Sequence, residues 1–171
     1  MQDVDVLILG SGYNQLEIQT MVKEKNPCFT LKSVPKAPWK VLYFCPEGFG
    51  QIKIDILVPG LAELPRCSPR LIDYNNERQL PAAPFLVVLL HKVLGWQRHF
   101  KSRDYRTYMR HWQDASDVAN LVSIAQEREE TINDRLNSTF IHTARPWVSE
   151  FIAAYPRAEI RDHWRRIGFE Q

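Results

Sequence analysis

Gln51-Ile52-Lys53-Ile54-Asp55-Ile56-Leu57-Val58-Pro59-Gly60 alternates polar and apolar side chains, becomes wholly apolar, and stops at Pro-Gly. This is the pattern of a buried strand closed by a turn. Its one acid, Asp55, requires a partner there, because a lone charge among apolar neighbours loses its hydration without compensation. The best candidates open the chain, in Asp3-Val4-Asp5, which leads into Val6-Leu7-Ile8-Leu9. Alternate residues of a strand share a face, so Asp3 and Asp5 project together while Val4, Val6 and Ile8 point the other way. If this strand lies beside the Asp55 strand, three carboxylates meet on one patch and repel one another. A divalent cation relieves that repulsion. Mg2+ and Mn2+ favour carboxylate and water oxygens and bridge to phosphates, and a pair of such ions clamps the attacking and leaving oxygens of a phosphoryl transfer. The plainer alternative is that Asp3 and Asp5 are solvated acids near a chain start.

Between these two stretches the sequence spells the rest of a small sheet. Gly10-Ser11-Gly12 reads as a turn. Tyr13 to Lys25 reads as a helix with Asn14 as its cap and Leu16, Ile18, Met21 and Val22 as its apolar stripe. Asn26-Pro27 ends it. Cys28 to Val34 and Trp39 to Cys45 read as strands, separated by Pro35 and Pro38, and Pro46 to Gly50 turns the chain into the Asp55 strand. Leu61 to Leu80 is rich in proline and polar residues and reads as a linker, with Leu71-Ile72 as a candidate extra strand.

The pattern Asp-hydrophobic-Asp-hydrophobic, followed by a third Asp on a later strand, resembles the nucleotidyltransferase fold of the polymerase-beta-like superfamily. The resemblance is nearest to fungal nucleotidyltransferase-like proteins and to toxin-type nucleotidyltransferases. It implies metal binding by Asp3, Asp5 and Asp55, with Asp55 also helping to activate the acceptor. The family sets a Gly-Gly or Gly-Ser motif on a helix before the first carboxylates. Only Met1 and Gln2 precede Asp3, so the chain is expected to be an N-terminally shortened version or one without that phosphate cradle.

The second half changes character at Pro84. Phe85 to Leu90, with Val93, Leu94 and Trp96, is apolar nearly all round and marks a central helix. Lys92 stands inside it. It either snorkels to the surface along its own stem or holds phosphate. Lys92, Trp96 and Arg98 resemble the phosphate-facing helix of toxin-type nucleotidyltransferases, which assigns nucleotide binding to Lys92 and Arg98. His111 to Val122 reads as another helix, and it resembles the family's Lys-Asp-x-x-Asp helix with Gln113 in place of the lysine. Asp114 and Asp117 share a face. They pair with Lys92 or Arg98, or form an acidic N-terminal cluster favoured by the helix dipole; structural pairing is the preferred reading. Lys101 to Arg110 is basic, with Tyr105 and Tyr108 interleaved. Such a segment is ordinarily a solvated face, and single-stranded nucleic acid is its functional alternative. Two further helices are expected, one with a stripe of Trp147, Val148, Phe151 and Ile152 ended by Pro156, and one with Ile160, Trp164 and Ile167 ended by Gly168.

The 171 residues suit one domain with a helical extension, and a net charge of +2 gives no general field for nucleic acid or membrane. Phe85 to Leu90 is too short to span a bilayer. Cys28, Cys45 and Cys67 lack metal-binding spacing and read as free thiols of a reducing, cytoplasmic compartment. Asn137-Ser138-Thr139 is a glycosylation sequon with no secretory signal to put it to use.

The expected architecture is α+β: a small mixed sheet with a flanking helix over residues 1–80, then a C-terminal helical bundle over 81–171 packed on it. The expected activity is metal-dependent transfer of a nucleotide from an NTP to a hydroxyl acceptor, with Mg2+ or Mn2+ as cofactor. The alternative is a non-catalytic binding or scaffolding module on the same fold. A restriction-type metal nuclease fits less well, because Lys53 precedes Asp55 instead of following an acid.

Overall fold

The structure is a computed structural model that describes residues 3–8, 12–35, 37–74, 81–132 and 136–169. It comprises two compact units, Met1–Arg66 and Cys67–Gln171. The expected α+β arrangement of a mixed sheet followed by helices is present.

The first unit runs β1 (Asp3–Leu7), α1 (Gln15–Lys25), β2 (Phe29–Ser33), β3 (Lys40–Phe44) and β4 (Ile52–Leu57). The sheet order is β1-β4-β3-β2. β2, β3 and β4 form an antiparallel meander, and β1 joins β4 in parallel. The helix between β1 and β2 is what permits a parallel strand, since parallel neighbours need a crossover rather than a hairpin. Register sorts the side chains. Val4 lies beside Ile54, Val6 beside Ile56, and Leu42 opposite Ile54, so these share an apolar face. Leu42 and Ile56 are its buried residues. The other face carries Asp3, Asp5, Lys53, Asp55 and Tyr43.

Helix α1 begins with a capping box. The Asn14 side chain accepts from the Glu17 N–H at 3.0 Å, and the Glu17 carboxylate accepts from the Asn14 N–H at 2.8 Å. The helix lies against β2 and β4, and of the expected stripe only Ile18 and Val22 face inward. Leu16 and Met21 are exposed, and Gln19 is buried. Gln15 donates to the Ile56 carbonyl at 3.0 Å and Gln19 to the Lys40 carbonyl at 3.5 Å. Long amides satisfy strand carbonyls that leucine would leave unpaired, so Gln15, Ile18, Gln19 and Val22, spaced i, i+3, i+4 and i+7, become the inner face. Gly10 and Ser11 of the expected turn lie outside the described residues.

The second unit holds α2 (Phe85–Phe100), α3 (Tyr105–Met109), α4 (His111–Glu127), α5 (Ser138–Ala154) and α6 (Ala158–Ile167). It begins earlier than residue 81. Leu71-Ile72 is not a strand: Pro69–Leu71 is a 3-10 turn capped by the Ser68 side chain, because proline fixes a helical φ at the turn's first position. Asp73 then exchanges both backbone hydrogen bonds with Ala82, at 3.0 and 2.8 Å. Its carboxylate also meets Arg128 at 3.8 Å. These contacts tie the proline-rich segment to the helices.

Helix α2 is the centre of this unit, lying against α4 and α5. Leu86, Val87, Leu89, Leu90, Val93, Leu94 and Trp96 are buried on it, whereas Val88 is exposed. Trp96 stacks on Phe100 at 5.1 Å and meets Phe151 edge-on at 5.0 Å. The Asn137 side chain accepts from the N–H groups of Thr139 and Phe140, capping α5, so the sequon's asparagine has a structural use. Helix α6 ends at Gly168 with φ +108°, and a Cβ there would lie 3.4 Å from Ile132. The left-handed conformation calls for glycine.

Candidate functional site

Parallel pairing of β1 and β4 sets Asp5 directly beside Asp55 and Asp3 directly beside Lys53. All four side chains point to one face of the sheet. Asp3 and Asp5 are exposed, while Asp55 is half-buried. Asp55 finds its partner on its own strand, two residues back, where the Lys53 ammonium donates to its carboxylate. Partial burial works against that ammonium. Its bond to Asp55 and the charges of Asp55, Asp3 and Asp5 outweigh burial and hold its pKa above the ordinary lysine value.

The three carboxylates are the hard oxygen donors that Mg2+ or Mn2+ favours, but as placed they do not make a metal site. Among the described residues no three His, Cys, Asp or Glu side chains are grouped so that they could hold a metal ion. A fixed cation, Lys53, already compensates Asp55. In the sequence Lys53 was visible only as the polar half of an alternating strand; its i, i−2 relation to Asp55 was the signal that placed it on the acidic face. Removing it leaves neighbouring like charges uncompensated. Lys53→Met is expected to lower stability by about 1 kcal/mol, the scale of a half-exposed pair, and added Mg2+ is expected to raise the melting temperature of the variant more than that of the parent. Identical melting of the two proteins, with and without Mg2+, contradicts this role for Lys53.

Lys92 and Arg98 belong to the second unit. The Lys92 ammonium meets Asp117 at 2.8 Å and Asp114 at 3.5 Å, both on α4. The preferred pairing of the two acids with Lys92 is therefore present, and Lys92 does not simply extend to solvent. Asp114 is 8% exposed and also takes His99 Nδ1 at 2.5 Å. The Gln113 amide donates to Asp117 at 2.8 Å. His99 went unnoticed in the sequence, although it stands seven residues after Lys92 and so shares its helix face. Arg98 is exposed and forms no ion pair among the described residues.

The hydrogen bond from Lys92 holds the Asp117 pKa below the ordinary carboxylate range; burial opposes this and Gln113 assists it. Burial likewise raises Glu150, but bonds from Lys101 and Gln97 outweigh it and the net direction is down. A folded-state pKa below the unfolded value adds stability above the unfolded value, which is lost as pH falls through the folded one. The helical unit should therefore lose stability on acidification below about pH 4. Lys92→Met should flatten that acid limb in urea midpoints measured across pH, and an unchanged limb contradicts the assignment.

Among the described residues no helix is long and apolar enough to cross a membrane. Comparisons with known protein families, with curated proteins and with solved structures found no match.

Proposed function

We propose that the protein is nucleotidyltransferase-like and moves a nucleotide from an NTP to a hydroxyl acceptor. One observation carries this reading: Asp5 and Asp55 are register partners on adjacent parallel strands, with Asp3 on the same face. A shared face is one requirement of the three-aspartate pattern. In this reading Asp55 of the sheet unit assists the acceptor hydroxyl, and the resemblance separately assigns phosphate binding to Lys92 and Arg98 of the helical unit. The Lys92 ammonium is paired with Asp117 at 2.8 Å and Asp114 at 3.5 Å, so engaging phosphate requires it to leave those carboxylates. No step is assigned to a metal ion, since the carboxylates as placed do not form its site.

A second reading, a non-catalytic binding or scaffolding module on the same fold, is favoured by the Lys53–Asp55 pair. That pair leaves the acidic face compensated without an added ion. Calorimetry with each NTP in the presence of Mg2+ separates the two. The transfer reading expects Mg2+-dependent binding of at least one NTP, weakened roughly tenfold or more by Asp5→Ala and by Asp55→Ala, because a carboxylate attracts a triphosphate only when the nucleotide's own Mg2+ lies between them. Equal binding by parent and both variants supports the module, and no binding by the parent removes the transfer reading.

A further inference from the structure

Between α2 and α4 the chain exposes a ridge of large side chains. Tyr105 is 72% exposed, Met109 43% and Trp112 58%. Arg110 has helical dihedrals and carries the turn of α3 into α4, so these three, at i, i+4 and i+7, lie along one side. Tyr108 and His111 pack on Phe100 at 6.3 and 5.3 Å, and the Trp112 ring touches that of His111 at 4.5 Å while most of it stays exposed. Exposed aromatic side chains grouped in this way are uncommon on a protein surface without a binding use.

The charges around the ridge are also uncommitted. Lys101 is paired with Glu150, but Arg103, Arg106 and Arg110 are exposed and form no ion pair among the described residues. The single acid in this stretch, Asp104, is occupied in capping α3 through the Thr107 N–H and hydroxyl, both at 2.8 Å.

We propose that this ridge binds single-stranded nucleic acid, with Tyr105 and Trp112 stacking on bases and Arg103, Arg106 and Arg110 engaging the phosphates. The chemistry selects that ligand. Arg103 and Arg106 are exposed without an ion pair among the described residues, and Arg110 shares its charge only with the exposed Asp104; such a cluster favours a polyanion, and two exposed rings favour one that also offers flat apolar faces. A duplex keeps its base faces stacked inside, whereas a single strand presents them. The two rings lie seven residues apart in sequence, across the turn between α3 and α4. Of the two tyrosines in the basic segment only Tyr105 is available, because Tyr108 is turned inward. The inference does not depend on whether the sheet unit transfers nucleotides.

The test uses fluorescence anisotropy of the full chain with a labelled oligouridylate of about a dozen nucleotides, within the usual site size for such surfaces. Heparin, a polyanion without bases, serves as the comparison. The Tyr105→Ala/Trp112→Ala variant should lose roughly tenfold or more in oligonucleotide affinity and keep its heparin affinity. The Arg103→Gln/Arg106→Gln/Arg110→Gln variant should lose both and show a flatter salt dependence. Tyr105→Phe/Trp112→Phe should retain binding, which separates stacking from any loss of fold. The proposal is overturned if the alanine variant binds the strand as tightly as the parent. It is also overturned if a duplex of equal length binds better, or if vesicles of anionic lipid bind while the oligonucleotide does not.

Discussion

Trp96→Ala is expected to cost the helical unit about 3–5 kcal/mol, the range for emptying a large aromatic site in a core. Trp96 is fully buried and touches Phe100, Phe151 and Tyr155 through its ring. These contacts join the central helix to α5, so the cavity would open between two elements with little freedom to collapse. Trp96→Phe should cost far less, about 1 kcal/mol. The indole N–H has no hydrogen-bond partner among the described residues, and phenylalanine removes that buried donor together with part of the ring. Urea titration followed by tryptophan emission reports mainly on this unit, because Trp112, Trp147 and Trp164 remain in it and Trp39 of the sheet unit is already largely exposed. Equal losses for the two variants would mean that ring packing is not what holds Trp96 in place.

Lys92→Met should destabilise the same unit by about 2 kcal/mol. An exposed ion pair contributes about 0–1 kcal/mol, and stripping a partner from a buried one costs about 3–5 kcal/mol. The pair lies between these limits, with the Lys92 side chain 37% exposed and that of Asp114 12%. The loss comes from Asp114, a buried carboxylate whose remaining side-chain partner among the described residues is His99. Adding Asp114→Asn to the variant should therefore recover part of the loss. A double-mutant cycle in urea is expected to give a coupling of about 1–2 kcal/mol. Strict additivity would show that the two side chains are adjacent without being energetically linked.

Much of this fold was legible in the sequence, and the reasons are local. Strands β2, β3 and β4 announced themselves by alternation and by the prolines between them, and Gly168 and Asn14 marked helix ends by their backbone preferences. What stayed hidden depended on neighbours. Gln15 and Gln19 look like surface residues until the strand carbonyls they serve are in place. Leu71-Ile72 has strand composition, but Pro69 decides its backbone. At the acidic face the sequence identified the carboxylates and treated Lys53 as background. Strand parity alone put Lys53 with Asp55, and the register with Asp3 needed the parallel pairing of β1 to be known. In the helical unit Asp114 and Asp117 were joined by their i, i+3 face, with Lys92 or Arg98 as the partner, and the structure selects Lys92. His99 was missed because a lone histidine late in a helix has no spacing partner of its own.

The place of β1 at the sheet's edge, joined to the strand farthest along the meander, bears on the order of assembly. Hairpins between sequence neighbours close quickly, whereas a strand returning across a helical crossover must wait and close a longer loop. Asp5 and Asp55 therefore come together late, after β2, β3 and β4 have found one another. Mutual repulsion between the two acids then acts beyond the folding barrier and governs how fast the sheet opens rather than how fast it forms.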